Sequence, residues 1–150
     1  MRAVLQRVSE ASVSVDNTLV GEINNGILIL LGIEELDNED DMLWLINKII
    51  NLRIFDDENG VMNLSLNDIQ GQVLLISQFT LHASTKKGNR PSYIKAAKPE
   101  LAKQIYHRFY QLILSHYSGK TACGIFGADM KVSLINDGPV TIIIDSKLKE

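Results

Sequence analysis

The stretch Ile27-Leu28-Ile29-Leu30-Leu31-Gly32-Ile33 contains no polar side chain, and it constrains the fold more than any other feature of the chain. It is far shorter than the ~20 residues a helix needs to cross a bilayer. It is rich in β-branched residues and lacks a polar residue at every second position, so it reads as a strand covered on both faces. Val73-Leu74-Leu75-Ile76 repeats the pattern over four residues. Two amphipathic helices are available to cover such strands. Asp37 or Asn38 caps the first, which runs to about Leu52 with Met42, Leu45, Ile46, Ile49 and Ile50 as its apolar stripe and acidic residues in its first turn. Pro99 opens the second, which runs to about Tyr117 and is ended by Ser118-Gly119. Its stripe is Leu101, Ile105, Phe109, Leu112, Ile113 and His116.

The remaining elements read as strands. Residues 1–9 alternate, residues 11–15 alternate again, and the turn Asp16-Asn17 leads into residues 18–23 as a hairpin. Asn24-Asn25-Gly26 and residues 56–60 are turns, and residues 73–81 form a further strand. Two last strands, residues 129–135 and 140–145, flank Asn136-Asp137-Gly138-Pro139, a hairpin connection on its face. Together these elements predict an α+β fold: a curved, barrel-like, mostly antiparallel sheet with two main amphipathic helices packed outside. No internal repeat or low-complexity linker interrupts residues 1–150, which are expected to form a single domain.

Charge and cysteine content narrow the function. With 15 Lys and Arg against 18 Asp and Glu, the net charge is −3. Proteins that grip long nucleic acid are normally basic, so any such role must be local and touch few phosphates. Cys123, the single cysteine, permits neither an intrachain disulfide nor a cysteine-based zinc site. Its apolar neighbours suggest an inert core thiol. The start Met1-Arg2-Ala3-Val4-Leu5-Gln6-Arg7 is too polar for a signal peptide. A cytoplasmic location, with no membrane partner, is the expectation.

Candidate chemistry concentrates in three segments. Ser77-Gln78-Phe79-Thr80-Leu81-His82 brings polar groups abruptly to the end of an apolar strand. A period of two puts Gln78, Thr80 and His82 on one face and Ser77, Phe79 and Leu81 on the other. A rigid strand end of this kind suits a site, although a threonine in a strand and neighbours satisfying loop backbone would look the same. No carboxylate is evident to orient His82, so a Thr-His nucleophile is weakly indicated. His107 and His116, nine residues apart on the second helix, are poorly spaced metal ligands and read as packing or surface residues. Lys86-Lys87-Gly88-Asn89-Arg90-Pro91-Ser92-Tyr93 is either a nucleotide-end contact or a solvated loop. Asn136-Asp137-Gly138-Pro139-Val140-Thr141 is either a plain turn or a close backbone approach to a ligand.

Taken together, Ser77-Gln78-Phe79-Thr80-Leu81, Lys87-Gly88-Asn89-Arg90-Pro91-Ser92 and Asn136-Asp137-Gly138-Pro139-Val140-Thr141 resemble the signature set of the D-aminoacyl-tRNA deacylases. Arg2-Ala3-Val4-Leu5-Gln6-Arg7-Val8 and Cys123-Gly124-Ile125-Phe126-Gly127-Ala128-Asp129-Met130 are similar to that family as well. The resemblance spans nearly the whole chain. It implies the deacylase fold and a homodimer with its sites at the subunit interface, acting on the 3′-terminal adenosine of D-aminoacyl-tRNA. It further implies that Ser77, Gln78, Phe79 and Thr80 form one wall, with backbone N–H groups of Phe79 and Thr80 stabilising the oxyanion. Gly138 and Pro139 of the partner, joined by a cis peptide and flanked by Asn136 and Val140, form the opposite wall that selects chirality. Lys86, Lys87 and Arg90 would touch tRNA. No metal or organic cofactor is implied. Competing readings are a small esterase or amidase with Thr80 as nucleophile and His82 as base, and a non-catalytic tRNA-binding module.

Overall fold

In the computed structural model, which describes residues 1–149, one long strand organises the sheet. Strand β1 (Arg2–Val15) runs unbroken through the two alternating stretches. Asp16 and Asn17, both with positive φ, form a two-residue turn that returns the chain as β2 (Thr18–Ile23). Residues 11–15 of β1 pair with β2, and residues 2–8 pair with β3 (Gly26–Gly32). The other edge of β1 pairs along almost its full length with β8 (Met130–Asp145).

From β3 the sheet continues in parallel to β6 (Gln72–Ser77) and then to β7 (Thr121–Cys123). The sheet is therefore mixed, with its antiparallel pairings around β1. A Cβ placed on Gly21 of β2 would lie 3.2 Å from the Cys123 carbonyl oxygen of β7, so the sheet curls almost into a closed barrel. A small hairpin, β4 (Phe55–Asp56) with β5 (Met62–Leu64), encloses the turn expected near residues 56–60.

Both faces of the central strands are covered, as the uninterrupted apolar runs predict. Ile27, Ile29 and Leu31 of β3, with Val73 and Leu75 of β6, join the helix-side core. Leu28, Leu74 and Ile76 point the other way, into a second cluster with Val8, Val13 and Ile23. Helix α1 (Glu39–Asn51) is capped by Asn38 in a reciprocal capping box with Asp41, and all five residues of its expected stripe are buried. Between β5 and β6 lies α2 (Leu66–Ile69), one turn capped by Ser65.

Helix α3 (Pro99–His116) buries Ala102, Ile105, Tyr106, Phe109, Leu112 and Ile113. Two members of its expected stripe differ. Leu101 is only partly buried, and His116 is exposed, with Nδ1 2.8 Å from the Leu112 carbonyl at the helix end. The hydroxyl of Tyr106 donates to the Leu75 carbonyl at 2.9 Å, pinning the helix to β6. No helix among the described residues is long and apolar enough to cross a membrane.

Two expectations at the ends of strands are corrected. Residues 129–145 do not form a hairpin; Asn136-Asp137-Gly138-Pro139 lies within the single strand β8. Continuous pairing with β1 on both sides of the segment leaves no room for a reversal. The strand expected over residues 73–81 ends at Ser77, and Phe79–His82 winds into a 3₁₀ turn.

Ile29 is 1% exposed in the middle of β3, whereas Leu36 is 83% exposed. Ile29→Ala should cost about 2–5 kcal/mol, and Leu36→Ala should stay within about 0.5 kcal/mol. Denaturant midpoints of the two variants against wild type check the contrast.

Candidate active site

Strand β6 leaves the core at Ser77, and the chain turns immediately. The Gln78 N–H donates to the Leu31 carbonyl at 2.7 Å, and the Leu81 N–H donates back to the Gln78 carbonyl at 3.2 Å. The N–H groups of Phe79 and Thr80 fall in the first turn of the 3₁₀ segment, where no intrahelical carbonyl is available to them. No side chain caps this turn. The Gln78 amide instead donates to the Thr80 hydroxyl. Two adjacent backbone donors thus have no acceptor within the turn; Phe79 lines the neighbouring cleft, and Thr80 does not.

The turn also overturns the expected facing of the segment. A 3₁₀ helix repeats every three residues, not every two. His82 does not join Thr80; its side chain is 1% exposed and turns inward. A Cβ on Gly32 would come within 3.0 Å of the imidazole. Nδ1 lies 3.0 Å from a Glu34 carboxylate oxygen, in a geometry off the hydrogen-bond direction. The Thr80 hydroxyl therefore has an amide beside it, and no imidazole or carboxylate. Arg2 holds the far end of the turn, donating to the Leu81 carbonyl at 2.8 Å and pairing with Asp145.

Ser77, Gln78 and Phe79 form one wall of a cleft of about 710 Å³. Tyr93, Lys98, Ala102 and Phe126 lie on its other sides. Phe79 is 57% exposed and meets Tyr93 edge-on, with ring centroids 5.0 Å apart. Cys123 is partly buried near this region, and burial pushes its thiol above the ordinary range, so it is a poor nucleophile. Lys86, Lys87 and Arg90 lie in an exposed loop closed by reciprocal backbone bonds between Ser84 and Ser92.

The second expected wall lies elsewhere on the chain. Between the pairs Gln6–Thr141 and Val8–Asn136, the one residue Arg7 faces four residues of β8, which bulge outward. The Gly138–Pro139 peptide is cis, and Gly138 has φ +123°. Two side chains shape the bulge. The Asn136 carboxamide accepts the Val140 N–H at 2.9 Å and donates to the Thr141 hydroxyl at 3.0 Å. The buried Arg7 guanidinium donates to the Asp137 carbonyl at 3.0 Å, the Ile54 carbonyl at 2.7 Å and the Asp56 carboxylate at 3.2 Å.

Gly138 and Pro139 are exposed and do not line the cleft. The bulge begins after Asn136, four residues beyond Val132, the last β8 residue in the cleft wall, or about 13 Å along the strand. Sequence reasoning missed Arg7 as a site residue. Its signal was position: it shares a strand face with Ala3 and Leu5, both core residues, and a charged side chain there must have buried partners.

Comparison with known proteins agrees with this architecture. A sequence profile of the family described as D-Tyr-tRNA(Tyr) deacylase matches residues 4–145. Proteins named D-aminoacyl-tRNA deacylase from Flavobacterium psychrophilum and Bacteroides fragilis are 62% and 59% identical, with the full length of both chains covered in each case. A solved structure titled c-Myc DNA Unwinding Element Binding Protein is 40% identical and superposes with a TM-score of 0.92, covering 97% of this chain and 98% of that one. A probable eukaryotic D-amino acid tRNA deacylase shares the fold at 15% identity, with a TM-score of 0.80 over 95% of this chain and 97% of that one. The open donor pair and the glycine bulge thus occur in a chain that belongs to the D-Tyr-tRNA(Tyr) deacylase family, hydrolases of D-aminoacyl-tRNA.

Proposed function

We propose that the chain hydrolyses the ester between a D-amino acid and the 3′-terminal adenosine of tRNA. It does so as a homodimer in which residues 77–80 of one protomer face the bulge of the other. The observation that carries this reading is the separation of two prepared half-sites on one chain. One offers unclaimed N–H groups at Phe79, in the cleft wall, and at the adjoining Thr80, and the other offers a backbone protrusion braced from beneath that does not line that cleft. Each half lacks what the other presents.

The chemistry asks little of side chains. An aminoacyl ester is already activated, and the neighbouring ribose 2′-OH assists a water molecule. Water adds to the carbonyl carbon, the Phe79 and Thr80 N–H groups hold the oxyanion, and the 3′-oxygen departs with a proton. Free D-amino acid and tRNA result. The partner's Gly138 and Pro139, with Asn136 and Val140 holding them, form a wall close to Cα that an L side chain would strike. A D side chain points away, so D-Tyr and other D-residues are accepted alike. Glycine has no side chain to reject, and glycyl-tRNA is cleaved too. Lys86, Lys87 and Arg90 touch the few phosphates near the 3′ end. Such a site works in the cytoplasm, where charged tRNA is found.

Thr80 as a nucleophile ranks second, because its hydroxyl has no base beside it. Thr80→Ala should keep activity within about tenfold, whereas loss of a true nucleophile costs on the order of 10⁴ or more. Single-turnover rates on D-tyrosyl-tRNA decide this, and an acyl-Thr80 adduct seen by mass spectrometry would reverse the ranking.

A Cβ on Gly138 would sit 2.8 Å from Arg7 Nη2 and 3.0 Å from Val140 Cγ2, at a φ that L-residues rarely adopt. Gly138→Ala should therefore displace the wall. The expected result is at least a tenfold fall in kcat/KM for D-tyrosyl-tRNA, about 1.4 kcal/mol or more of transition-state binding, with a narrowed D-to-L ratio. A folded variant with wild-type rate and ratio would reduce the bulge to a structural feature. Activity followed through dilution, alongside sedimentation, tests assembly: isolated protomers should be inactive, and a fully active monomer rules out the shared site.

A further inference from the structure

Residues 83–98 carry five of the chain's 15 Lys and Arg and no Asp or Glu. With a net charge of −3 overall, the segment holds +5 and the rest of the chain −8. Lys86, Lys87, Arg90, Lys95 and Lys98 are all exposed. Among the described residues, none of them lies within 4 Å of a carboxylate. By contrast, Arg2, Arg7, Arg108, Lys131 and Lys147 are each paired.

The second part of the segment, residues 93–98, is also fastened to the cleft. The loop before it is closed at Ser84 and Ser92, and Tyr93 then packs on Phe79. The Ala97 N–H donates to the Ile33 carbonyl at 2.9 Å, and Lys98 lines the cleft itself. Tyr93 and Ile94, exposed by 39% and 92%, interleave with the cations and also line the cleft. Cations for phosphates alternating with apolar surface for bases is the arrangement that single-stranded nucleic acid requires.

We propose that residues 83–98 form the track on which the tRNA leaves the cleft, with Lys95 and Lys98 as tRNA contacts at its inner end and Lys86, Lys87 and Arg90 at its outer end. The inference rests on the deacylase reading above. The unpaired 3′ nucleotides lie over Tyr93, Ile94, Lys95 and Lys98, and the first phosphodiesters of the acceptor stem reach the loop. The track adds binding energy only for substrates that extend beyond the terminal nucleotides. An otherwise acidic surface repels the rest of the tRNA, which confines contact to its end.

The test compares D-tyrosyl-tRNA with the D-tyrosyl ester of a CCA trinucleotide, each across a range of salt concentrations. In wild type, kcat/KM for tRNA should fall steeply with salt and exceed that for the trinucleotide. In the double variant Lys95→Glu, Lys98→Glu, the tRNA-to-trinucleotide ratio should drop at least tenfold. Its salt slope on tRNA should flatten by about one for each phosphate that is no longer neutralised. Lys48→Glu, a change on α1 beside Trp44, should leave ratio and slope as they are. An unchanged ratio in the double variant overturns the track, as does a wild type that cleaves the trinucleotide as well as tRNA; either result leaves the deacylase reading standing. A wild type that cleaves neither D-ester overturns the reading on which the track depends.

Discussion

Strand β1 is hydrogen-bonded along both edges, to β2 and β3 on one side and to β8 on the other. Because β8 brings surplus residues between two paired stretches, the excess must leave the ladder somewhere, and Arg7 decides where. Its guanidinium is buried and finds acceptors at Ile54, Asp56 and Asp137. The Ile54 and Asp56 acceptors fix the guanidinium from outside the strand pair, and the Asp137 carbonyl of β8 reaches it in this register alone, so a slip of β8 would cost that charge-assisted bond. One side chain thus ties the register of the longest strand pair to the placement of Gly138 and Pro139. The bulge also carries β8 from one core to the other: Met130, Val132 and Leu134 pack on the cluster inside the barrel, while Val140, Ile142 and Ile144 pack on the helix side.

The second half of the proposed site follows from how β6 ends. Its apolar residues are committed on both faces, to Tyr106 and α3 on one side and to the barrel interior on the other. The first residue free of that double commitment is Ser77, and the strand stops there. The 3₁₀ turn that follows is short, so its leading N–H groups have no internal acceptor. Rigidity upstream and unsatisfied donors immediately downstream are what a preorganised oxyanion site needs. The fold supplies both at the end of β6.

How much of this the sequence disclosed depended on the range of the interactions involved. Helix α1 was legible to its cap because the Asn38 and Asp41 capping box and a five-residue stripe are local signals. The Asp16-Asn17 turn was legible for the same reason. The Asn-Asp-Gly-Pro segment was misread as a hairpin because its residues suit a reversal equally well; only pairing with β1, more than 120 residues earlier in the chain, shows that the strand continues. The facing of residues 78–82 failed because a strand period was extended past the point where the strand ends. Helix α2 was not read from the sequence, because the four residues behind its Ser65 cap are too few to carry an apolar stripe. Strand β7, three residues long, gains its identity from lying parallel to β6 and has no pattern of its own.

In the proposed function the site is made mainly of backbone, which accounts for why its side chains looked chemically sparse. Discriminating D from L configuration while accepting many side chains requires reading the atoms around Cα and little beyond them. Side-chain recognition would work against that breadth, since every added contact favours one amino acid over another. Main-chain carbonyls, and N–H groups at every residue but proline, are alike along the chain, and their positions follow from register, bulge and turn. In this chain the positions of the main-chain groups proposed for the site are set by Arg7 and Asn136 beneath the bulge, and by Arg2 and the Leu31 carbonyl around the turn. Under the proposed function, specificity of this kind is stored in the hydrogen-bond ladder of the sheet, which would make the accuracy of strand pairing part of the accuracy of substrate selection.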